Sequence, residues 1–568
     1  MSFFFNGRLW TSPATVSAVD DSAMFNRGLS VGNVLAIIGR SDSGKPFEIQ
    51  RFGNPTEAKA LGGEALKAVQ KAFDPSAQVG GPSEVVFIRV NTATQASLVL
   101  NNSVGGAVIN LVSTDYGLST NNIRVKIEAG SVSGKKLTTQ LGLNYFAADN
   151  VARNAFSIQY VGAGAAATMT LNGTTLTLTV DAATVATIDL NSYKTVQDLV
   201  DRLNGVTSFT ASVVDGNGGK ATLNALDFVT TQNVKTAAFT VTATLQACID
   251  WFNSVAEGFV TATRADNAGL LPLNIPYTYL SGGSDGTVTN TEWQAAFDAL
   301  QAADVQWVVG LSPLASVHAM VDAHCAYMSN VARLERRSIN GTDVGTTDAD
   351  AIARAKALNS DRASLVHIGF YDYDANGVWT LFPPYILAAQ IAGAFAGVNP
   401  GTPMTNKSLK VGGLERKLRN PTDTDQLING GILCVEETNK GFKVVQSIST
   451  WLSNDNYNRV EVSCGVALDF VARNVREVLD DLRGAKGTPL ALSDAVSRTD
   501  SRLRELSKPE PVGPGVLVGD KLNPPYKNIT ASLEGDVIMV TFECSPVIGI
   551  NYAAVAIHAV PYSGSASL

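Results

Sequence analysis

The sequence predicts a multidomain chain of α/β and α+β units, with a β-rich domain inserted into the first unit and extended arms at both ends. Three observations carry this. The 568 residues exceed what one ordinary core accommodates. Continuous apolar runs alternate with helical patterns on both sides of a Thr-rich stretch with strand character. The ends hold aromatic or proline-punctuated segments with too little apolar mass for a core of their own. With 45% hydrophobic and only 17% charged residues, the composition is globular rather than disordered.

Residues 1–25 read as an arm with aromatic anchors at Phe3, Phe4, Phe5 and Trp10. Residues 26–94 open an α/β unit. Within it, 34–38 is a buried strand, 55–73 a helix and 85–90 a second buried strand, the pattern of a parallel βαβ unit. Residues 95–245 form the inserted β domain. There, 169–180 reads as a hairpin with a type I′ turn at Asn172-Gly173 and with Leu176, Leu178 and Val180 on one face. Thr195 and Asp198 have the spacing of a capping box opening a helix over 196–203. Residues 246–400 resume the α/β unit: helix 292–302, strand 305–309, helical pattern over 314–337 and strand 365–370.

Residues 401–507 form an α+β unit. Its clearest helix spans 459–483, with Cys464, Leu468, Val471, Val475, Val478 and Leu482 at helical spacing. Residues 508–568 begin with Pro509, Pro511 and Pro514 and end in two strand-like runs, 537–542 and 553–560.

Charge and cysteine usage remove several function classes. A net charge of −8, without any long basic run, argues against a nucleic-acid partner. Cys248, Cys325, Cys434, Cys464 and Cys544 are scattered and form no C-x-x-C pair, so they read as free thiols in a reducing compartment rather than as a zinc site. The first residues lack the pattern of a signal peptide. The uncharged stretch 375–406 is split by Pro383-Pro384 and interrupted by Gln390, and reads as a buried strand, turn and helix rather than a membrane span.

Two segments approach catalytic motifs. Gly39 to Lys45 nearly matches a phosphate-binding P-loop, but Pro46 stands where Ser or Thr would hold magnesium, and 47–52 looks extended rather than helical. Gly282-Gly283-Ser284-Asp285-Gly286 fits a nucleophile-elbow pattern, yet the helix that should follow at once is delayed. A Ser nucleophile needs a His base, and the four histidines are His318 and His324 in a helical stretch, His367 within a strand and His558 in the terminal strand. No catalytic or metal set emerges from them, and no cofactor is implied. Glu436-Glu437 and Asp480-Asp481 are sequence neighbours whose side chains diverge on a helix.

An ordered set of segments resembles the tail sheath proteins of contractile phage tails and related injection machines. Ser30-Val-Gly-Asn-Val-Leu-Ala-Ile-Ile-Gly39, Gly44-Lys-Pro46 and Val86-Phe-Ile-Arg-Val90 resemble the family's opening. Tyr279-Leu-Ser-Gly-Gly-Ser-Asp-Gly286, followed by a helix, is similar to its central Gly-Gly signature. Thr402-Pro-Met-Thr-Asn-Lys407, Leu427-Ile-Asn-Gly-Gly-Ile-Leu433 and Gly441-Phe-Lys-Val-Val-Gln-Ser-Ile-Ser-Thr450 resemble its C-terminal domain, with the last segment altered from the usual ending.

The resemblance implies a subtilisin-like α/β domain without a catalytic triad, an inserted β-sandwich domain, a C-terminal α+β domain and extended terminal arms. It implies a virion structural protein assembled in the host cytoplasm, with copies of itself, a tail tube protein, and baseplate and tail terminator proteins as partners. No nucleic acid and no direct membrane insertion are implied. The arms would add strands to a neighbour's sheet, which nominates Phe3, Phe4, Phe5, Trp10, Val537, Met539, Thr541, Val555 and Ile557 as inter-subunit residues. The polar side of the 459–483 helix, with Arg473, Arg476 and Asp480, would face the tube. Two other readings stay open on sequence alone: another virion component (tube, baseplate or adhesin), and a P-loop-like or serine hydrolase.

Overall fold

The computed structural model describes residues 3–5, 8–10, 34–255, 258–265, 270–562 and 564. Most of the expected N-terminal arm, and residues 30–33 of the opening segment, lie outside the described residues.

A six-stranded sheet organises the α/β unit, in the order Ala363–Val366, Arg337–Gly341, Trp307–Gly310, Val34–Gly39, Glu84–Arg89, Ile49–Phe52. The first five strands are parallel, and the Ile49–Phe52 edge runs antiparallel. Val34–Gly39, Trp307–Gly310 and the middle of Glu84–Arg89 read as apolar runs because both faces are covered. Leu35, Ile37, Val85, Phe87, Trp307 and Val309 pack under helices Gly63–Phe73 and Pro384–Ala396. Ala36, Ile38, Val86, Ile88 and Val308 pack under Asn290–Leu300 and Ala315–Asn330. Every residue of Pro384–Ala396 is buried, which accounts for the uncharged stretch. Gly393 lets it approach its neighbour, since a Cβ there would lie 2.2 Å from the Ala72 carbonyl oxygen. Among the described residues, no helix is long and apolar enough to cross a membrane.

Local signals held where their partners are local. Thr195 and Asp198 form the capping box of Val196–Asn204, and Thr289 and Glu292 form another on Asn290–Leu300. Other expectations need correction. The 55–73 helix is broken: Gly62 and Gly63 have φ of 66° and 44°, leaving a short 3₁₀ turn, Glu57–Leu61, before Gly63–Phe73. The hairpin Ala167–Leu171/Thr175–Val180 forms, but neither Asn172 nor Gly173 has the positive φ of a type I′ turn. Instead the Asn172 side chain accepts from the backbone N–H groups of Thr174 and Thr175. The helical pattern over 314–337 stops at Asn330, and Arg337–Gly341 is a strand of the central sheet. The expected strand 365–370 is two strands, Ala363–Val366 and Phe370–Tyr373, in different sheets. His367 therefore sits between strands rather than within one.

The β region does not close at residue 245. Val260–Arg264 pairs with Ala107–Ser113, and Ile275–Tyr279 pairs with Arg124–Ala129. The insert holds two cores. One gathers Leu100, Ile109, Val125, Leu137, Leu245 and Phe252, so helix Thr244–Ser254 belongs to it. The other lies between the sheets containing Asn154–Tyr160 and Ala167–Leu171, closed by Val196–Asn204. The chain crosses between the α/β unit and the insert at two adjacent segments, joined by the Thr94↔Ser284 and Ser97↔Ser281 bridges.

In the C-terminal part, residues 427–433 hold a helix end and the turn after it. Helix Thr424–Asn429 ends at Gly430-Gly431, with Gly431 at φ 79°, and the next strand is Val435–Thr438. The helix expected over 459–483 is Val462–Leu479, preceded by the short Tyr457–Val460 turn. A second long helix, Pro489–Leu506, packs beside it around Ala467, Val471, Leu503 and Leu506.

Candidate functional site: surfaces rather than a pocket

The two motif-like loops are occupied by structural bonds. In the Gly39 to Lys45 turn, the Ser41 N–H donates to Asn91 Oδ1 at 3.2 Å and the Gly44 N–H to Asp115 Oδ1 at 2.7 Å. Amides that would cradle a phosphate therefore already hold carbonyl and carboxylate oxygens. Lys45 pairs with Glu48 at 2.9 Å on the surface, and the chain runs on as strand Ile49–Phe52. Ser284 serves the junction with the insert: its N–H donates to Thr94 Oγ1 at 3.1 Å, and the two hydroxyls lie 3.0 Å apart.

The histidines fall in four separate places. His318 Nε2 lies 2.9 Å from the Ser312 carbonyl oxygen and 3.1 Å from that of Gly341, and burial lowers its pKa to about 4. His324 Nε2 lies 2.7 Å from Arg336 Nη1, and burial, then the guanidinium charge, lowers its pKa to about 4. His367 Nε2 lies 3.0 Å from Asp348 Oδ1, and burial lowers its pKa. His558 is exposed in the C-terminal extension. The paired carboxylates diverge onto separate partners: Glu436 to Asn420, Glu437 to Lys417, Asp480 to Arg483 and Asp481 to Arg498.

The long helix is fastened to the α/β unit by charge. Asp469 accepts from Arg337 Nε at 2.8 Å and from Arg362 Nη2 at 3.2 Å, which joins it to two strand ends of the central sheet. Gly465, one turn earlier, leaves room for the Arg337 guanidinium, since a Cβ there would lie 2.3 Å from Arg337 Nη2. Arg473 donates to both oxygens of Asp304 at 3.0 Å, and Arg476 to Glu335 at 2.5 Å. A cavity of about 40 Å³ remains at this junction, lined in part by Trp307, Arg337, Asp469 and Arg473. Arg473 and Arg476 thus turn toward the body of their own chain, because Asp304 and Glu335 offer charge partners there. Of the residues expected to face the tube, Asp480 alone is exposed, beside Arg483.

At the C-terminus, the run expected over 537–542 is the strand Val537–Cys544, paired antiparallel with Tyr526–Glu534. The signal of that partner strand in the sequence is the alternation of Ile529, Ala531 and Leu533 ahead of a Gly535 turn at φ 62°. Val537, Met539 and Thr541 lie on the exposed face, and Ile538, Val540 and Phe542 face the helices. Among the described residues, the sheet has only these two strands. Residues 553–560 form no strand, because among the described residues no backbone pairs with them. Val555 and Ile557 are 82% and 86% exposed. At the other end, Phe3–Phe5 and Arg8–Trp10 pair as a two-stranded hairpin, register Phe3↔Trp10.

Comparison with known proteins finds similarity to tail sheath proteins. The model of the phage tail sheath protein central domain matches residues 286–450. The tail sheath protein of Bacillus phage SP01 is 29% identical over 99% of this chain and 97% of its own length. Along its whole length this chain is similar to phage tail sheath proteins. The tail sheath protein of Staphylococcus phage Twort is 24% identical over 82% of this chain and 84% of its own. Two solved sheath tail proteins share the fold. That of Listeria innocua has a TM-score of 0.56 at 12% identity, covering 92% of this chain and 94% of its own. That of Desulfitobacterium hafniense has a TM-score of 0.53 at 12% identity, covering 94% and 100%. The matched residues take in the Asn290–Leu300 helix and three of the six strands of the central sheet, Trp307–Gly310, Arg337–Gly341 and Ala363–Val366, and end at Thr450.

Proposed function

We propose that this chain is the structural subunit of a contractile tail sheath, which polymerises helically around an inner tube and shortens to drive that tube through a host envelope. The observation that carries this reading is the end-to-end match to the tail sheath protein of Bacillus phage SP01. The tube, baseplate and tail terminator are its partners, and assembly takes place in the host cytoplasm before incorporation into the virion. The chain divides into a subtilisin-like α/β domain without a triad, a β insert, a C-terminal α+β domain and two arms. Supporting the first is the parallel sheet with helices on both faces and histidines in four unrelated settings. The chain does not hydrolyse nucleotides or esters.

The arms link subunits by strand addition. A two-stranded sheet is marginal in water, and its free edges accept a further strand through backbone hydrogen bonds. The 553–562 segment, apolar and exposed, is suited to supply one. Phe3, Phe4, Phe5 and Trp10 on one arm, and Val537, Met539, Thr541, Val555 and Ile557 on the other, are the inter-subunit residues. Asp480 and its helix end meet the tube, whereas Arg473 and Arg476 act there only by holding that helix in place. Electron microscopy of the purified protein tests the reading: hollow helical tubes are expected, and a protein that stays monomeric with or without tube protein would overturn it.

A further inference from the structure

The C-terminal extension leaves the body at a defined polar clasp. Its root is held by backbone bonds: the Val518 N–H donates to Ser545 O at 3.0 Å, and the Val547 N–H to Val516 O at 2.9 Å. Asn551 is the last residue tied down. Its Nδ2 donates to Glu461 Oε2 at 3.0 Å, and its Oδ1 accepts from Thr405 Oγ1 at 2.9 Å. From Tyr552 to Tyr562, among the described residues, no hydrogen bond or ion pair reaches the body.

Glu461 is built for this contact. It is 2% exposed, and its other oxygen accepts from the hydroxyls of Ser447 and, at 3.2 Å, Ser463. It stands at the N-cap of Val462–Leu479, where unpaired N–H groups favour a carboxylate. Two turns further along the same helix, Asp469 grips Arg337 and Arg362 of the central sheet.

We infer that Asn551 is the pivot of the C-terminal extension, and that a pull on the extension passes through Glu461 into the long helix and through Asp469 into the central sheet. This rests on the reading that the extension engages a neighbouring subunit. The clasp lets the segment beyond it swing while its root stays fixed, and it delivers load to the buried central sheet rather than peeling the Val537–Cys544 strand from its hairpin.

Chymotryptic cleavage of the unassembled full-length chain tests the clasp. A protease must extend several residues on both sides of the cut bond, so cleavage after Tyr552 requires Asn551 to be released, whereas cleavage after Tyr562 does not. The Tyr552 to Tyr562 cleavage ratio is expected to rise about tenfold or more in Asn551→Ala, which loses both bonds, and further in Asn551→Asp, which sets two carboxylates together. Glu461→Gln alone should leave the ratio near the unmodified value, because the Asn551 amide can flip to accept from the new amide. Asn551→Asp with Glu461→Gln should restore it. An unchanged ratio in Asn551→Asp, or no rescue in the double variant, would overturn the pivot. Since this readout needs no tubes, failure of the unmodified chain to polymerise would overturn the sheath reading and leave the clasp standing.

Discussion

Two segments of similar composition meet opposite fates. Val34–Gly39 and residues 553–560 are both short runs of small and branched apolar residues. The first has a parallel partner on each side, and its Leu35 to Ile38 side chains are fully buried. The second has no backbone partner among the described residues, and its Val555, Ile557 and Val560 side chains are more than 80% exposed. Hydrophobicity does not separate them. The first finds edges within its own chain, and the second, on the proposed reading, finds one on a neighbouring subunit. A folded core and an assembly contact draw on the same chemistry and differ in where the partner comes from.

Substitutions in the fixed region should therefore act on folding, and changes in the free region on assembly. The largest effect is expected from Asp469→Ala, which leaves Arg337, with a side chain only 6% exposed, and Arg362 without their carboxylate. A loss of about 3–5 kcal/mol in urea unfolding is expected. A change below 1 kcal/mol would mean the helix is held chiefly by apolar packing. Gly393→Ala should cost about 1–3 kcal/mol in the same measurement, because the new methyl meets the backbone of the neighbouring helix.

Acid should weaken the fixed region as well. His318 and His324 are held near pKa 4, below the ordinary value near 6.5, so the unfolded chain binds more protons between these limits. Stability contributed by the neutral imidazoles is full above about pH 6.5 and falls as pH drops toward 4. His324→Gln should flatten this slope in urea titrations run from pH 7 to 5, and an equal slope in the variant would remove His324 from the account.

Removing residues 553–568 should shift the unfolding midpoint by no more than about 0.5 kcal/mol while abolishing tubes in electron micrographs. A destabilisation of several kcal/mol would show that the segment folds onto its own body and would erase the contrast with Val34–Gly39. At the small end, Lys45→Ala and Ser284→Ala should leave folding within about 0.5 kcal/mol and tube formation unchanged. Hydrolysis of nucleotides or esters above a blank, lost in either variant, would restore an enzymatic reading.

What was legible in the sequence was whatever is decided by near neighbours or by full burial. Val34–Gly39, Glu84–Arg89 and Trp307–Gly310 are legible because both faces are covered, whereas Arg337–Gly341, with Arg, Ser and Asn, is not, and Thr195 and Asp198 signal a helix start through bonds only three residues apart. Boundaries set by distant pairing stayed hidden. Val260–Arg264 joins a sheet with Ala107–Ser113, and nothing local in either segment says so. The charges of the long helix misled for the same reason. Arg473 and Arg476 look solvent-bound by spacing, but Asp304 and Glu335, far away in sequence, claim them. The Glu461–Asn551 clasp spans 90 residues and left no pattern to read.

The junction at Thr94 and Ser284 carries a last consequence. The strand that leaves the central unit and the one that returns lie side by side, paired at Thr94↔Ser284 and Ser97↔Ser281. Arg89, fully buried, braces the spot with bonds to the Gly44 and Tyr116 carbonyl oxygens at 2.9 and 3.0 Å. Everything between these two points behaves as a cassette: the gap that a replacement must span is one strand spacing, whatever its length. Since loop closure grows only slowly more costly with length, the insert can be enlarged, trimmed or exchanged while the central sheet keeps its geometry.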